Sequence, residues 1–328
     1  MTAAAPHQTH LRLADLIGAL SHALDLTEGQ PRGHCIRCCW IGFHVGKAMG
    51  FGPAQLSDLY YTLLLKDLGC SSNAARICQL YLANDREFKR DFKLIDGSLP
   101  QALRFVLGHT GLTAPMAERF RAIINILKNG GEISRELIEA RCHRGAEIAA
   151  RMRFSPAVCA AIEALDEHWD GRGKPEGRSG KDIPPEAQIA LLSQVADVFF
   201  KSMGREAAIK EVCERAGSWF DPLLARAFAD LASDPAFWNA LAAPDLPLRV
   251  LALEPQDLRR EVDDDYLDDI ALAFAKVIDA KSPYTAGHSE RVAVFADLIA
   301  EEMGESPEMR RTLRRAALLH DVGKLGIS

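Results

Sequence analysis

The stretch from Leu318 to Ser328 reads LLHDVGKLGIS. His320 and Asp321 place an imidazole and a carboxylate side by side, Gly323 loosens the backbone, and Lys324 adds an ammonium. Imidazole nitrogen and carboxylate oxygen are donors for a divalent cation, and a nearby ammonium can neutralise a phosphate. His320 and Asp321 are therefore candidate metal ligands, and Asp321 and Lys324 candidate catalytic groups. A centre of this kind needs more donors. On its own a His-Asp pair at a helix end is also compatible with a solvated cap, so the surrounding spacing decides how it is read.

Self-similarity supplies that spacing. GHCIRCCWIGFHVGKAMG (residues 33–50) aligns without a gap on GHSERVAVFADLIAEEMG (residues 287–304). His34 falls on His288 and Arg37 on Arg291, and at the same offset LLLKDLGCSSN (residues 63–73) falls on ALLHDVGKLGI (residues 317–327). Lys66-Asp67 thus stands where His320-Asp321 does. Each copy reads as three amphipathic helices: Leu16, Leu20 and Leu24 recur every four residues in the first, and Leu267, Ile270, Phe274, Val277 and Ile278 form the matching stripe in the second. Gly33 and Gly287 break the chain before the second helix of each copy, and Gly50 and Gly304 mark its end.

Between the copies the pattern stays helical, with helices expected over residues 99–108, 115–128, 134–152, 156–166, 185–203, 206–216 and 222–231. The Gly- and Pro-rich stretch DGRGKPEGRSGKDIPP (residues 170–185) must be a loop. Its Arg172 and Lys174 are candidate substrate-binding cations for an anionic phosphate, set against the ordinary alternative of a solvated charged loop. After Ala242 the composition shifts, giving a linker with RVLAL (residues 249–253) as a short strand. The expected organisation is a helical domain over residues 10–241, a linker over 242–262, and the start of a second helical unit over 263–328. The HCIRCC run invites a zinc reading, but no second Cys/His pair of matching spacing accompanies it, so buried thiols on a packed helix are expected.

SPYTAGHSERV followed by LLHDVGKLGI resembles the opening half of an HD-GYP domain, a branch of the HD superfamily of metal-dependent phosphohydrolases. In the first copy CHRGAEIAARM, ALDEHWDGRGKPEGRSGKDIPPEAQIALLSQVADVFF and AGSWFDPLLARAF follow the order of the later motifs. The resemblance implies an all-α HD-type bundle, iron or manganese as cofactor, and cyclic dinucleotides such as cyclic di-GMP as substrates. It implies ligand positions at His288, His320 and Asp321 in the second copy, and at His34, Asp67, His143 and Asp197 in the first. The first copy departs from that pattern: Lys66 replaces a ligand histidine, Cys70 the phosphate lysine, Leu165-Asp166 a histidine pair beside the intact Glu167, and Lys174 the GYP tyrosine. A Lys ammonium has no lone pair and repels a cation. The expectation is therefore a protein related to cyclic dinucleotide phosphodiesterases whose first copy is inactive and whose second is incomplete as given, possessing little activity and holding metal weakly or not at all. The alternative is a non-catalytic regulatory, dimerisation or nucleotide-sensing module.

Composition bounds the rest. At 328 residues, with 48% apolar and 26% charged residues, the chain is an ordinary globular protein long enough for two domains. A net charge of −6 argues against a nucleic-acid-tracking surface. LYYTLLL is too short an apolar run to span a membrane, the N-terminus lacks a basic signal start, and the eight cysteines fit a reducing compartment. A cytoplasmic homodimer is expected.

Overall fold

A computed structural model of the protein describes residues 11–95 and 99–327. The first copy opens with α1 (Leu13–Thr27), α2 (His34–Ala48) and α3 (Pro53–Leu65). These are followed by α4 (Ala74–Tyr81), α5 (Asp85–Phe92), α6 (Leu99–His109), α7 (Met116–Arg151), α8 (Pro156–Glu163) and α9 (Pro185–Met203). Next come α10 (Arg205–Glu214), α11 (Pro222–Ala232), α12 (Pro235–Ala242) and α13 (Leu246–Leu251). The second copy supplies α14 (Asp264–Asp279), α15 (His288–Glu302) and α16 (Pro307–Leu319). Among the described residues there is no sheet, only isolated bridges at Arg12–Glu261 and Ala216–Phe220.

The repeat seen in the sequence is a repeat of local geometry. Gly33 and Gly287 lie in the left-handed region, at φ 82° and 66°, which a β-carbon disfavours. Just behind each glycine an aspartate at the equivalent position holds the start of the next helix. Asp25 accepts hydrogen bonds from the amides of Gly33 (2.7 Å), His34 (3.1 Å) and Cys35 (2.9 Å), and Asp279 accepts from the Ser289 amide (3.2 Å) and hydroxyl (2.7 Å). A carboxylate facing free amides at a helix N-terminus is favourable on both hydrogen-bond and dipole grounds. His34 and His288 are thereby fixed in the first turn of α2 and α15.

The main core joins α1, α2, α3, α9, α11 and α14. Leu13, Ile17, Ile41, Leu63, Phe228 and Phe274 are among its fully buried members, each worth roughly 1.5–3 kcal/mol of burial. Leu246 and Val250 of α13 belong to the same cluster, so RVLAL begins as helix where a strand was expected. The cause is tertiary: the i, i+4 pair Leu246 and Val250 faces one core, and packing overrides β-branched propensity. Residues 115–152 also differ from expectation, since α7 runs unbroken through Gly130-Gly131 for 36 residues, about 54 Å. Buried Ile126 on one side of the glycines and Ile133 and Leu137 on the other pack into one secondary cluster with Phe88 and Phe105, which carries the helix across them. Helices α4, α5 and α12 have no counterpart in the expectation. Asn84 caps the charged α5 by accepting from the Arg86 amide at 3.0 Å, and Asp234 caps α12 through the Ala236 amide at 2.8 Å.

Helix α7 crosses the turn after α3 at backbone contact. A β-carbon on Gly69 would lie 1.8 Å from the Arg141 carbonyl oxygen, whereas the equivalent Gly323 has nothing within 4 Å. Replacing Gly69 by Ala should force these backbones apart and cost about 2–3 kcal/mol of unfolding free energy in urea; a G69A protein as stable as its parent would show that this crossing is not tight.

Candidate metal centre and its filled counterpart

In the first copy α2, α3 and α9 bring His34, Lys66, Asp67 and Asp197 together, all fully buried. His34 Nδ1 lies 2.7 Å from Asp197 Oδ2, and Lys66 Nζ lies 3.0 Å from His34 Nε2. The two partners fix the tautomer: Nδ1–H donates to the carboxylate and Nε2 accepts from the ammonium. Lys66 also donates to Asp67 Oδ2 and to Gln194 Oε1 (3.2 Å). Asp197 accepts from Arg37 Nε at 2.5 Å and Nη2 at 3.0 Å, and Asp67 accepts weak hydrogen bonds from the Cys35 and Cys70 thiols at 3.4 and 3.6 Å.

Electrostatics follow the contacts. Burial would lower the Lys66 pKa, but Asp67 outweighs it and the group stays well above its ordinary value, charged. Burial pushes the Asp67 carboxyl up and is overcome by Lys66 and Lys93, so Asp67 lies below the usual range. Asp197 is likewise lowered, as His34 and Arg37 prevail over burial. Burial, then Lys66, lowers the His34 imidazole, which is neutral. Burial raises the thiols of Cys35, Cys38 and Cys39, so they are protonated packing groups, as the missing second Cys/His pair implied. Cys38 lies 3.7 Å from the His34 ring, and a protonated thiol is a poor metal ligand. Each ligand lone pair that a metal would use already faces a protein donor. The residues of the first copy do not fit a metal ion: Lys66 occupies the cation's place.

His143 is not part of this cluster. It lies on the exposed side of α7, its side chain 65% exposed and paired with Glu163 at 3.3 Å; of the expected four-residue remnant His34 and Asp197 group with Cys38, and Asp67 groups with Glu28 and Cys70. Glu167 is buried and serves the loop, accepting from the amides of Glu176 (2.7 Å) and Gly177 (3.1 Å). Within that loop Arg172 is exposed and bound to Asp170, while Lys174 is half-buried, its pKa lowered by burial and by Arg135. His168 stacks on Trp219 with ring centroids 4.1 Å apart. Burial, against a partial opposing pull from Asp170, brings its pKa down to about 4.

The second copy presents the same frame with different chemistry. Donor atoms of His288, His320 and Asp321 all lie within 4.8 Å of one another. Asp321 Oδ2 is 3.6 Å from His288 Nε2 and 3.2 Å from His320 Nε2. His320 Nδ1–H donates to the Ala317 carbonyl at 2.7 Å, which leaves Nε2 as the lone-pair nitrogen facing the cluster, the usual arrangement behind a metal-bound imidazole. Lys324 Nζ donates to Asp321 Oδ2 at 2.6 Å and is the main cause of that carboxyl's lowered pKa, with the two imidazoles assisting against the upward push of burial. These residues fit a divalent ion, and no other His, Cys, Asp or Glu joins them among the described residues. Arg291 holds the pose of Arg37: Arg37 Nη1 donates to the Arg32 carbonyl at 2.8 Å and Arg291 Nη1 to that of Ala286 at 3.0 Å. On α15, Phe295 and Ile299 are 62% exposed where the equivalent Ile41 and Val45, covered by α9, are fully buried.

Arg37, Gln194, Asp25 and Asp279 were not singled out from the sequence as site residues. Arg37 and the two aspartates had a signal, identity at the repeat offset; Gln194 had none.

Fold and site together define an all-α HD-type protein with two copies of one ligand frame. Comparison with known proteins agrees. Family models described as HD domain match residues 121–224 and residues 285–328. The chain is 51% identical over 321 residues to the 3'3'-cGAMP-specific phosphodiesterase 3 of Vibrio cholerae serotype O1 (strain ATCC 39315 / El Tor Inaba N16961). The match covers 98% of this chain and 70% of that protein. It is 30% identical over 146 residues to the 3'3'-cGAMP-specific phosphodiesterase 1 of the same strain, covering 44% of this chain and 32% of that protein. A crystal structure of a cyclic GMP-AMP specific phosphodiesterase from V. cholerae superimposes with a TM-score of 0.75 at 47% identity, covering 97% of this chain and 72% of that one. The chain belongs to the HD-domain family that includes these proteins. No helix among the described residues is long and apolar enough to cross a membrane.

Two outcomes follow for the first copy. Lys66→Met keeps the volume and leaves Asp67 without its ion-pair partner, so K66M should lose roughly 3–5 kcal/mol in urea unfolding; a parental midpoint would show that the ammonium does not hold the cluster. His168 titrates lower folded than unfolded, about 4 against about 6.5. Its neutral form therefore contributes stability in full above pH 6.5, and that contribution fades as pH falls toward 4. The parent should weaken between pH 7 and pH 5, and H168Q should weaken less; equal losses would exclude His168 as a source.

Proposed function

We propose that the chain acts in cyclic dinucleotide phosphodiester hydrolysis, with 3'3'-cGAMP as substrate, through a metal held by His288, His320 and Asp321 of the second copy. The first copy is non-catalytic. The observation that carries this reading is the contrast at one pair of equivalent positions: His320 offers a free Nε2 to Asp321 and His288, whereas Lys66 fills that place in the first copy. The substrate rests on the named activity of the relative that matches almost the whole chain.

A divalent iron or manganese ion at this centre supplies charge to a phosphoryl oxygen and an acidified water. The chain's own part is to hold and orient. Ala317 fixes the His320 ring, Asp279 fixes the helix start that carries His288, and Lys324 places a positive charge beside Asp321 where a phosphate can meet it. Three donors bind a cation weakly, so slow turnover by these residues alone belongs to the proposal. The second reading, binding without hydrolysis, is favoured by the filled first copy, where a nucleotide phosphate would compete with Asp170 for the exposed Arg172 and draw on the half-buried Lys174.

Manganese titration and chromatography of 3'3'-cGAMP incubations test both readings. Metal binding should fall at least about tenfold in H320A and D321A and stay unchanged in H143A. Linear product formed equally by parent and D321A would reject the assignment, and tight nucleotide binding by the parent with no product at all would establish the second reading.

A further inference from the structure

Helix α5 carries no residue of either ligand cluster, yet its first two residues reach both sides of the second-copy centre. Arg86 Nε donates to the Leu26 carbonyl at the end of α1 (2.9 Å), and its Nη1 donates to the Gly326 carbonyl (2.5 Å). Gly326 closes the short 3-10 turn Val322–Gly326 that follows Asp321, and that turn is wound on the Asp321 carbonyl, which accepts from the Lys324 amide at 2.9 Å. Between Lys324 and Gly326 stands Leu325, fully buried in the main core. The turn that presents His320 and Asp321 is thus anchored from its far end by a first-copy guanidinium and by first-copy apolar packing.

Asp85, the neighbour of Arg86, takes the other side. Its Oδ2 accepts from Lys281 Nζ at 2.7 Å, with side-chain exposures of 1% and 10%, and from Lys89 Nζ at 3.5 Å. Lys281 lies two residues beyond Asp279, the carboxylate that holds the Ser289 amide and hydroxyl next to His288. A third tie, from the Ser71 hydroxyl to the Val277 carbonyl at 2.7 Å, runs parallel to it. His288 comes from the segment tied to Asp85, and His320 and Asp321 from the segment tied to Arg86.

We propose that Arg86 is a positioning residue for the second-copy metal centre: through the Gly326 carbonyl it holds the turn that brings His320 and Asp321 to His288. The proposal rests on the reading that these three residues bind the metal. Arg86 touches neither a ligand nor the space between the ligands. Its guanidinium is suited to the task because it spans two carbonyls in a fixed plane, which a Lys ammonium on its flexible stem does less well.

The test uses the full chain and Mn2+ alone as probe, with two readouts: the dissociation constant from calorimetry and amide hydrogen exchange over residues 322–327. Outer partners of metal ligands typically alter affinity 10–100-fold when removed. R86A should weaken Mn2+ binding about tenfold and speed exchange in the turn, R86K should recover part of both, and E87A, on the exposed neighbour, should change neither. R86A and R86K are to be compared at matched secondary structure by circular dichroism, and if R86A fails to fold, R86K carries the comparison with a smaller expected loss. Loss of binding in D321A together with parental binding in R86A and R86K overturns the positioning role. Parental binding in D321A overturns the metal assignment instead, and unchanged exchange over residues 322–327 in the Arg86 variants then overturns the tie itself.

Discussion

A carboxylate buried in a helical bundle must be met by a positive charge or by hydrogen-bond donors. Removing an ion from water costs several kcal/mol even after relaxation, and a close counter-charge or several well-placed hydrogen-bond donors must offset that cost. The first copy buries Glu28, Asp67 and Asp197 and answers each with a side chain: Lys93 lies 2.5 Å from Glu28, Lys66 binds Asp67, and Arg37 binds Asp197. In the second copy Asp321 is more exposed and is met by Lys324 and two imidazoles. One frame, with an aspartate-held helix start and an X-Asp pair at the end of the next helix, therefore supports two electrostatic solutions. The difference turns on whether the residue before the aspartate is a cation or a lone-pair donor.

Residues around Lys66, and those at the other positions where the first copy departs from the resemblance, have structural partners of their own. An ammonium needs acceptors, and Gln194 supplies one that a metal-binding bundle would not need in that form. Cys70, at the position of Lys324, turns inward as a weak donor to Asp67. The loop residue Glu167 spends one oxygen on two backbone amides, making it part of the loop's architecture. Asp166, where a histidine was expected from the resemblance, pairs with Arg141 of α7 beside the Gly69 crossing. Lys66, Cys70 and Asp166 thus each have a structural partner.

How much of this was legible in sequence depended on whether a residue's role was local or spatial. The two copies and their helix starts at Gly33 and Gly287 follow from one repeat offset, and the juxtaposition of His288 with His320-Asp321 is what the family resemblance implied. Helix α9 was located to the residue because Pro185 starts it and Gly204 ends it. Other features were invisible for identifiable reasons. His143 looked like a ligand by order of motifs, but its face on α7 is set by where the long helix packs, and that depends on Gly130-Gly131 failing to break it. The RVLAL segment carries strand-forming residues whose conformation is decided by two contacts with a distant core. Arg86 lies in DREFKRDF, a charged run with no apolar periodicity beyond its phenylalanines, and its partners are carbonyl oxygens 60 and 240 positions away.

A cation that is part of the chain differs from a bound ion in one consequential way: it cannot leave. A metal-centred bundle folds or loosens with metal supply and with the protonation of its ligands, because binding energy is folding energy. Lys66, its pKa held well above the ordinary value by Asp67, is a charge that the first copy carries independently of metal supply. The same first copy buries Leu325 and, through α5, grips the two segments that carry the second-copy ligands. The first-copy bundle, with Lys66 as its built-in cation, is thus the scaffold on which the cluster of His288, His320 and Asp321 is displayed.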